Sequence, residues 1–143
     1  MQLDESLRKR LAAEFDFAAQ QMAKSPDLVT KLYFYSAFFG EVERVLNQQW
    51  DANLSLLHLV LFYSHTTMMA RTNMLITGAD RVIGIPNEFP DALTKTAAEL
   101  ASLFQSEDVD EGKLLMILSR LAELAYVTQG NGHYLYLKGK IKL

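Results

Sequence analysis

The sequence predicts an all-α protein: an antiparallel helical bundle of about five helices around a long central helix, with a short extended C-terminal tail. Residues 1–143 read as a single domain. Three observations carry this expectation. Between Asp51 and Arg71 there is no Asp, Glu, Lys or Arg, while Leu54, Leu56, Leu57, Leu59, Val60, Leu61, Phe62, Tyr63, Met68 and Met69 point around nearly the whole circumference of a helix. A helix apolar on so many sides needs other helices, or lipid, to cover it. The flanking segments carry narrower apolar stripes at helical spacing. Between the stripes stand residues that start or stop helices.

The totals agree. A chain of 143 residues can bury a sizeable core, and 50% hydrophobic with 22% charged residues is ordinary globular composition. The formal charge is −3, so the basic excess of a general nucleic-acid-binding domain is missing. Cysteine is absent, which excludes disulfides and thiolate metal sites and suits a cytoplasmic setting. The start, Met-Gln-Leu-Asp-Glu-Ser, lacks the basic-then-apolar order of a signal peptide. The uncharged run approaches the roughly 20 residues of a membrane span. Asn53, Ser55, His58, Ser64, His65, Thr66 and Thr67 interrupt it, so a buried bundle helix is favoured over a membrane helix.

Taken in order, the first helix is expected over Asp4 to Ala23. Leu7, Leu11, Phe15, Ala18 and Met22 form one face, and Arg8, Lys9, Arg10, Glu14 and Asp16 occupy the remainder. Ser25-Pro26-Asp27 reads as a stop and a start, with Ser25 as cap, Pro26 in the first helical position and Asp27 at the positive dipole end. The second helix runs to Gln48 on the stripe Leu28, Leu32, Tyr35, Phe39, Val42 and Leu46, broadened by Phe34, Phe38 and Val45. Gly40 is a place where a neighbouring helix can come close.

Asp51 is the expected cap of the third helix and Gly78 its left-handed terminator. The short connection at residues 47–51 makes helices two and three antiparallel. Gly78 to Pro90 reads as a loop over the end of the bundle, holding Val82, Ile83 and Ile85. Pro90-Asp91 opens helix four on Leu93, Ala97, Leu100 and Phe104. Asp108 followed by Glu111 resembles a capping box for helix five, whose stripe is Leu114, Ile117, Leu118, Leu121, Leu124 and Ala125. Gly130-Asn131-Gly132 breaks that helix. Beyond it Leu135, Leu137, Ile141 and Leu143 alternate with Tyr134, Tyr136, Lys138, Lys140 and Lys142, a period of two that predicts an extended tail. The broad apolar surface of helices two and three predicts a homodimer.

The long helix Asp51 to Leu75, followed by a loop, a short helix and the helix Asp110 to Tyr126, resembles the HEPN domain family of small antiparallel, commonly dimeric bundles. The ribonuclease members carry an Arg followed after four to six residues by His. Here Arg120 is followed at those distances by Ala125, Tyr126 and Val127, and His133 lies too far on. The resemblance therefore implies a noncatalytic member: an interaction or binding module, such as the partner subunit of a nucleotidyltransferase or of a toxin–antitoxin type system.

Three clusters carry chemistry. His58 and His65 share a helix face, but two turns separate them by roughly 10 Å, too far for one metal ion. No Glu-x-x-His pair accompanies them, so no metal and no cofactor is expected. Ser64, His65, Thr66, Thr67 and Arg71 form a polar island. Its functional version is a small-ligand or nucleotide pocket, or an enzyme site, using His58, His65, Thr67 and Arg71, with Arg71 as the anion-binding charge. Its structural version is helix packing, with Arg71 emerging to solvent. In the tail, Tyr134 and Tyr136 interleave with Lys138, Lys140 and Lys142, a pattern that suits single-stranded nucleic acid. Three lysines are few for an electrostatic platform, and a solvated edge is favoured.

Overall fold

The computed structural model describes residues 1–78 and 85–143. Among these residues the chain forms α1 (Glu5–Lys24), α2 (Leu28–Gln48), a single 3-10 turn (Ala52–Leu54), α3 (Ser55–Thr77), α4 (Phe89–Gln105), α5 (Glu111–Val127) and α6 (Gly130–Leu137). The all-α bundle expected from the sequence is present, with six helices rather than five.

Among the described residues, three of the six helix starts are set by carboxylates. Asp4, Asp27 and Asp110 each stand just before a helix and accept the orphan N–H of Leu7, Thr30 and Lys113, at 3.0, 2.8 and 3.1 Å. Two expected caps are thereby reassigned. Ser25 ends α1 instead of starting α2, its hydroxyl donating to the Gln21 carbonyl. Asp110, not Asp108, caps α5, because Asp108 is turned toward the Met1 ammonium at 2.8 Å. Asp51 caps the 3-10 turn that leads into α3, and Gly78 ends α3 at φ +72°. Residues 79–84, and with them Val82, Ile83 and Gly84 of the expected loop, lie outside the described residues; Ile85 packs against the core.

The helices close a ring. α1 packs against α2 and α4, α2 against α3, α3 against α5, and α5 against α4 and α6. The most extensive contact is α1 against α4. Both helices bury small side chains, Ala12, Ala18 and Ala19 on α1 and Ala97 and Ala101 on α4. Aromatic rings fill the space beside them. Phe15 stacks on Phe104, centroids 5.8 Å apart and planes within 7°, and meets Phe38 edge-on at 5.0 Å. Tyr35 and Phe39 continue the cluster along α2, perpendicular at 4.1 Å.

This overturns the central position expected for α3. The helix is one wall of the ring, and only Leu57, Leu61, Ser64, Met68 and Thr72 on it are buried. A wall helix has two neighbours, so a helix apolar all round keeps part of its apolar surface outside. Arg8 is a second correction. Placed on the outer side of α1 by the sequence, it is buried and donates to the Phe104 carbonyl at 2.8 Å. Gly40 is a third, since no atom lies within 4 Å of where its Cβ would be.

The extended tail is a fourth correction: Gly130–Leu137 is helical. A lone strand would leave its N–H and C=O groups without a ladder, whereas a helix pairs them internally. Two glycines make the helix fit. Gly132 is pressed against α5, where an added Cβ would sit 1.9 Å from the Tyr126 carbonyl oxygen. Gly139, at φ +73°, closes the end: its N–H reaches the Tyr136 carbonyl while that of Lys140 reaches Leu135. Ile141 and Leu143 then fold back against the core.

Candidate functional site

α3 presents three surfaces. The inward one is unusually polar for its place. Thr72 donates to the Met68 carbonyl at 2.7 Å, and the Ser64 hydroxyl is buried with no hydrogen-bond partner among the described residues.

The flank toward α2 holds both histidines. His58 Nε2 lies 3.1 Å from Asn47 Oδ1, with its ring edge-on to Trp50 at 5.9 Å. His65 Nδ1 lies 3.2 Å from Glu43 Oε1, its ring 6.2 Å from that of Phe39. The pairings 47 with 58 and 43 with 65 run in opposite directions, as antiparallel helices require. Glu41 pairs instead with Arg44 on its own helix, at 2.9 Å.

The flank toward α5 and α6 holds the rest of the polar island. Gln129 Nε2 donates to the Tyr63 hydroxyl at 3.2 Å and to Thr67 Oγ1 at 3.3 Å. The Arg71 guanidinium donates to the Thr128 carbonyl, at the negative end of α5. Burial lowers the pKa of Arg71 and raises that of Tyr63. These groups clamp the α5–α6 turn, so Arg71 neither emerges freely to solvent nor faces the histidines. His58 and His65 serve one neighbour, and Thr67 and Arg71 another. The structure does not bring the four into one pocket. Among the described residues no group of three His, Asp or Glu could hold a metal ion.

The tail residues are also spoken for in part. Lys138 Nζ sits over the Tyr134 ring, 5.5 Å from its centroid, and the Tyr136 hydroxyl donates to Glu88. The Glu88 bond lowers the pKa of that carboxyl and raises that of Tyr136. One ring is thus covered by a lysine and the other carries a carboxylate beside it; Lys140 and Lys142 are exposed. A cleft of about 480 Å³ between α4 and α5 is lined by Leu103, Met116, Ile117 and Arg120, the last paired to Glu99 at 3.1 Å.

Broad apolar surface on helices two and three is expected from the sequence; that on α3 it forms a separate outward face is what sequence reasoning missed. Leu59, Phe62 and Ile76 are 62%, 57% and 60% exposed, and Leu56, Met69 and Met74 are exposed beside them. Trp50 lies near the same end of the helix, exposed and against His58. The signal was available. Residues 57, 61, 64, 68 and 72 define one helical stripe, and 59, 62, 66, 69, 73 and 76 define another on the opposite side. The polar residues Ser64 and Thr72 fell on the inward stripe and large apolar ones on the outward.

No protein-family model, curated protein or solved structure matches the chain. Among the described residues no helix is long and apolar enough to cross a membrane.

Proposed function

We propose that this chain is a noncatalytic helical interaction module that works by docking a protein on the outward face of α3. One observation carries the reading: a helix without charge from Ala52 to Ala70 turns Leu59, Phe62, Met69 and Ile76 to solvent while a separate stripe fills its packing needs. Contiguous exposed apolar surface of this kind marks interaction sites. The alternative, a ligand pocket or enzyme built on the polar island, needs His58, His65, Thr67 and Arg71 together, and they are engaged with different helices. The HEPN resemblance implies the same kind of activity, with a nucleotidyltransferase or toxin-type protein as the partner.

Hydroxyl-radical footprinting in cell extract tests the reading. Met116 on α5 is the internal reference. Met69 and Met116 are 43% and 70% exposed, so a bare face oxidises at comparable rates. Docking makes Met69 far slower than that difference in exposure accounts for. Comparable rates at the two methionines would refute the module.

A further inference from the structure

We infer that the occupant of the α3 face is a second copy of this chain, paired α3 against α3 about a two-fold axis near Thr66. The inference rests on the reading of that face as an interface. The seam residues Leu59, Phe62, Thr66, Met69, Asn73 and Ile76 fall within an arc of roughly 100°, in steps of three and four. That alternation is how one helix keeps a continuous line against another. In a two-fold contact the same patch meets itself, so a charge on the axis would face its like. The run from Ala52 to Ala70 holds none.

The same lack of charge argues against other occupants. A lipid surface is held by helices whose polar flank is rich in Lys and Arg, and nucleic acid needs phosphate-neutralising cations. Neither is supplied along this stretch. The cation at its end, Arg71, points into the α5–α6 turn. At the middle of the seam the side chains are small, Thr66 with Ala70 beside it, which permits close approach of two axes. The Thr66 hydroxyl already donates to the Phe62 carbonyl at 2.9 Å, so covering it leaves that donor satisfied.

The area fits the apolar centre of such an interface. Leu59, Phe62, Met69 and Ile76 on the seam are each about half exposed, with Leu56 and Trp50 at its margins. These four seam residues offer roughly 400 Å² of apolar surface, about half of what one partner buries. A standard interface buries about 800 Å² per partner, with a polar rim around an apolar centre.

The chain contains no cysteine, so a single Thr66→Cys substitution gives a clean cross-linking probe. Purified protein at high micromolar concentration is expected to show twice the 16.2 kDa chain mass by light scattering, and to fall toward the monomer on dilution. Phe62→Asp is expected to give the monomer at every concentration with unchanged helicity, while Met116→Asp leaves the dimer intact. The Thr66→Cys protein is expected to be joined into a covalent dimer by a short bis-maleimide. This arm keeps the inference testable should Phe62→Asp fail to fold. A monomer at high concentration overturns the inference, as does a dimer of the Thr66→Cys protein that the bis-maleimide leaves unjoined. Footprinting separates this failure from that of the module. Met69 shielded in extract but bare in the pure chain means another protein docks there; Met69 bare in both removes both readings.

Discussion

Arg8, near the start of α1, donates to the carbonyl of Phe104, next to last in α4, across 2.8 Å in the buried interior. The carbonyl end of a helix is short of donors and carries negative potential, so a guanidinium satisfies both needs. The device recurs: Arg71 on α3 serves Thr128 at the end of α5, and Lys31 on α2 serves Met22 near the end of α1. Hydrogen bonds to charged groups contribute about 1.5–3 kcal/mol. Arg8→Met is therefore expected to lower stability by about 2 kcal/mol, read as a lower urea midpoint at unchanged m-value. Arg8→Lys is expected to recover part of the loss, since an ammonium can cap the same carbonyl.

How much of this was legible in the sequence follows from what each pattern measures. Stripes at helical spacing measure one-sided burial, so Leu7–Met22 on α1, Leu32–Leu46 on α2 and Leu114–Ala125 on α5 were read correctly. Gly78 as terminator was legible because capping chemistry is local. α3 was misplaced because apolar content does not say which side is covered, and its inward stripe holds Ser64 and Thr72. Arg8 was misassigned because its partner carbonyl is 96 residues away. The tail was misread because alternation over few residues does not outweigh the missing second strand. The split of His58 and His65 from Thr67 and Arg71 depends on which helices flank α3, which no local pattern records.

Gly132 and Gly40 are expected to respond oppositely to alanine. At Gly132 the new Cβ would lie 1.9 Å from Tyr126 O and 2.9 Å from Val127 Cα, both backbone, so α6 must shift. Overpacking of this kind costs about 1–3 kcal/mol. Gly40→Ala meets nothing within 4 Å in a helix interior and is expected to stabilise by roughly 0.5–1 kcal/mol. Urea midpoints of the two variants check the sign, and hydrogen exchange at residues 130–137 checks that the Gly132 effect is centred on α6.

Stability is expected to decline at both extremes of pH, for separate reasons. The Asp27 carboxyl is held below its usual range by the Thr30 N–H and hydroxyl, and that of Asp4 by the Gln49 side chain and the Leu7 N–H. A lowered folded pKa gives stability that is present above the unfolded value of about 3.9 and lost as pH falls below it. The Glu88 bond raises the pKa of Tyr136, so that contribution is present below about pH 10 and lost above it. Melting temperature against pH is expected to fall at both ends. Asp27→Asn keeps the capping oxygen but not the charge, and is expected to flatten the acid limb. Tyr136→Phe is expected to flatten the alkaline one.

The two faces of α3 are expected to separate cleanly under truncation. Leu61 is fully buried, and Leu→Ala at such a site costs about 2–5 kcal/mol, through lost transfer energy and the cavity left behind. Leu59, two residues away, is 62% exposed, and in the isolated chain Leu59→Ala is expected to change stability by no more than about 0.5 kcal/mol. Protein concentration then distinguishes a bare face from a self-associating one. Association stabilises the folded state by mass action, so the melting temperature of the natural sequence is expected to rise with concentration. That of Leu59→Ala is expected to rise less, and the gap between the two to close on dilution. Leu61→Ala is expected to melt lower at every concentration. A gap between Leu59→Ala and the natural sequence that persisted at high dilution would mean that Leu59 stabilises the fold itself, and would remove the division of α3 into a packing face and a docking face.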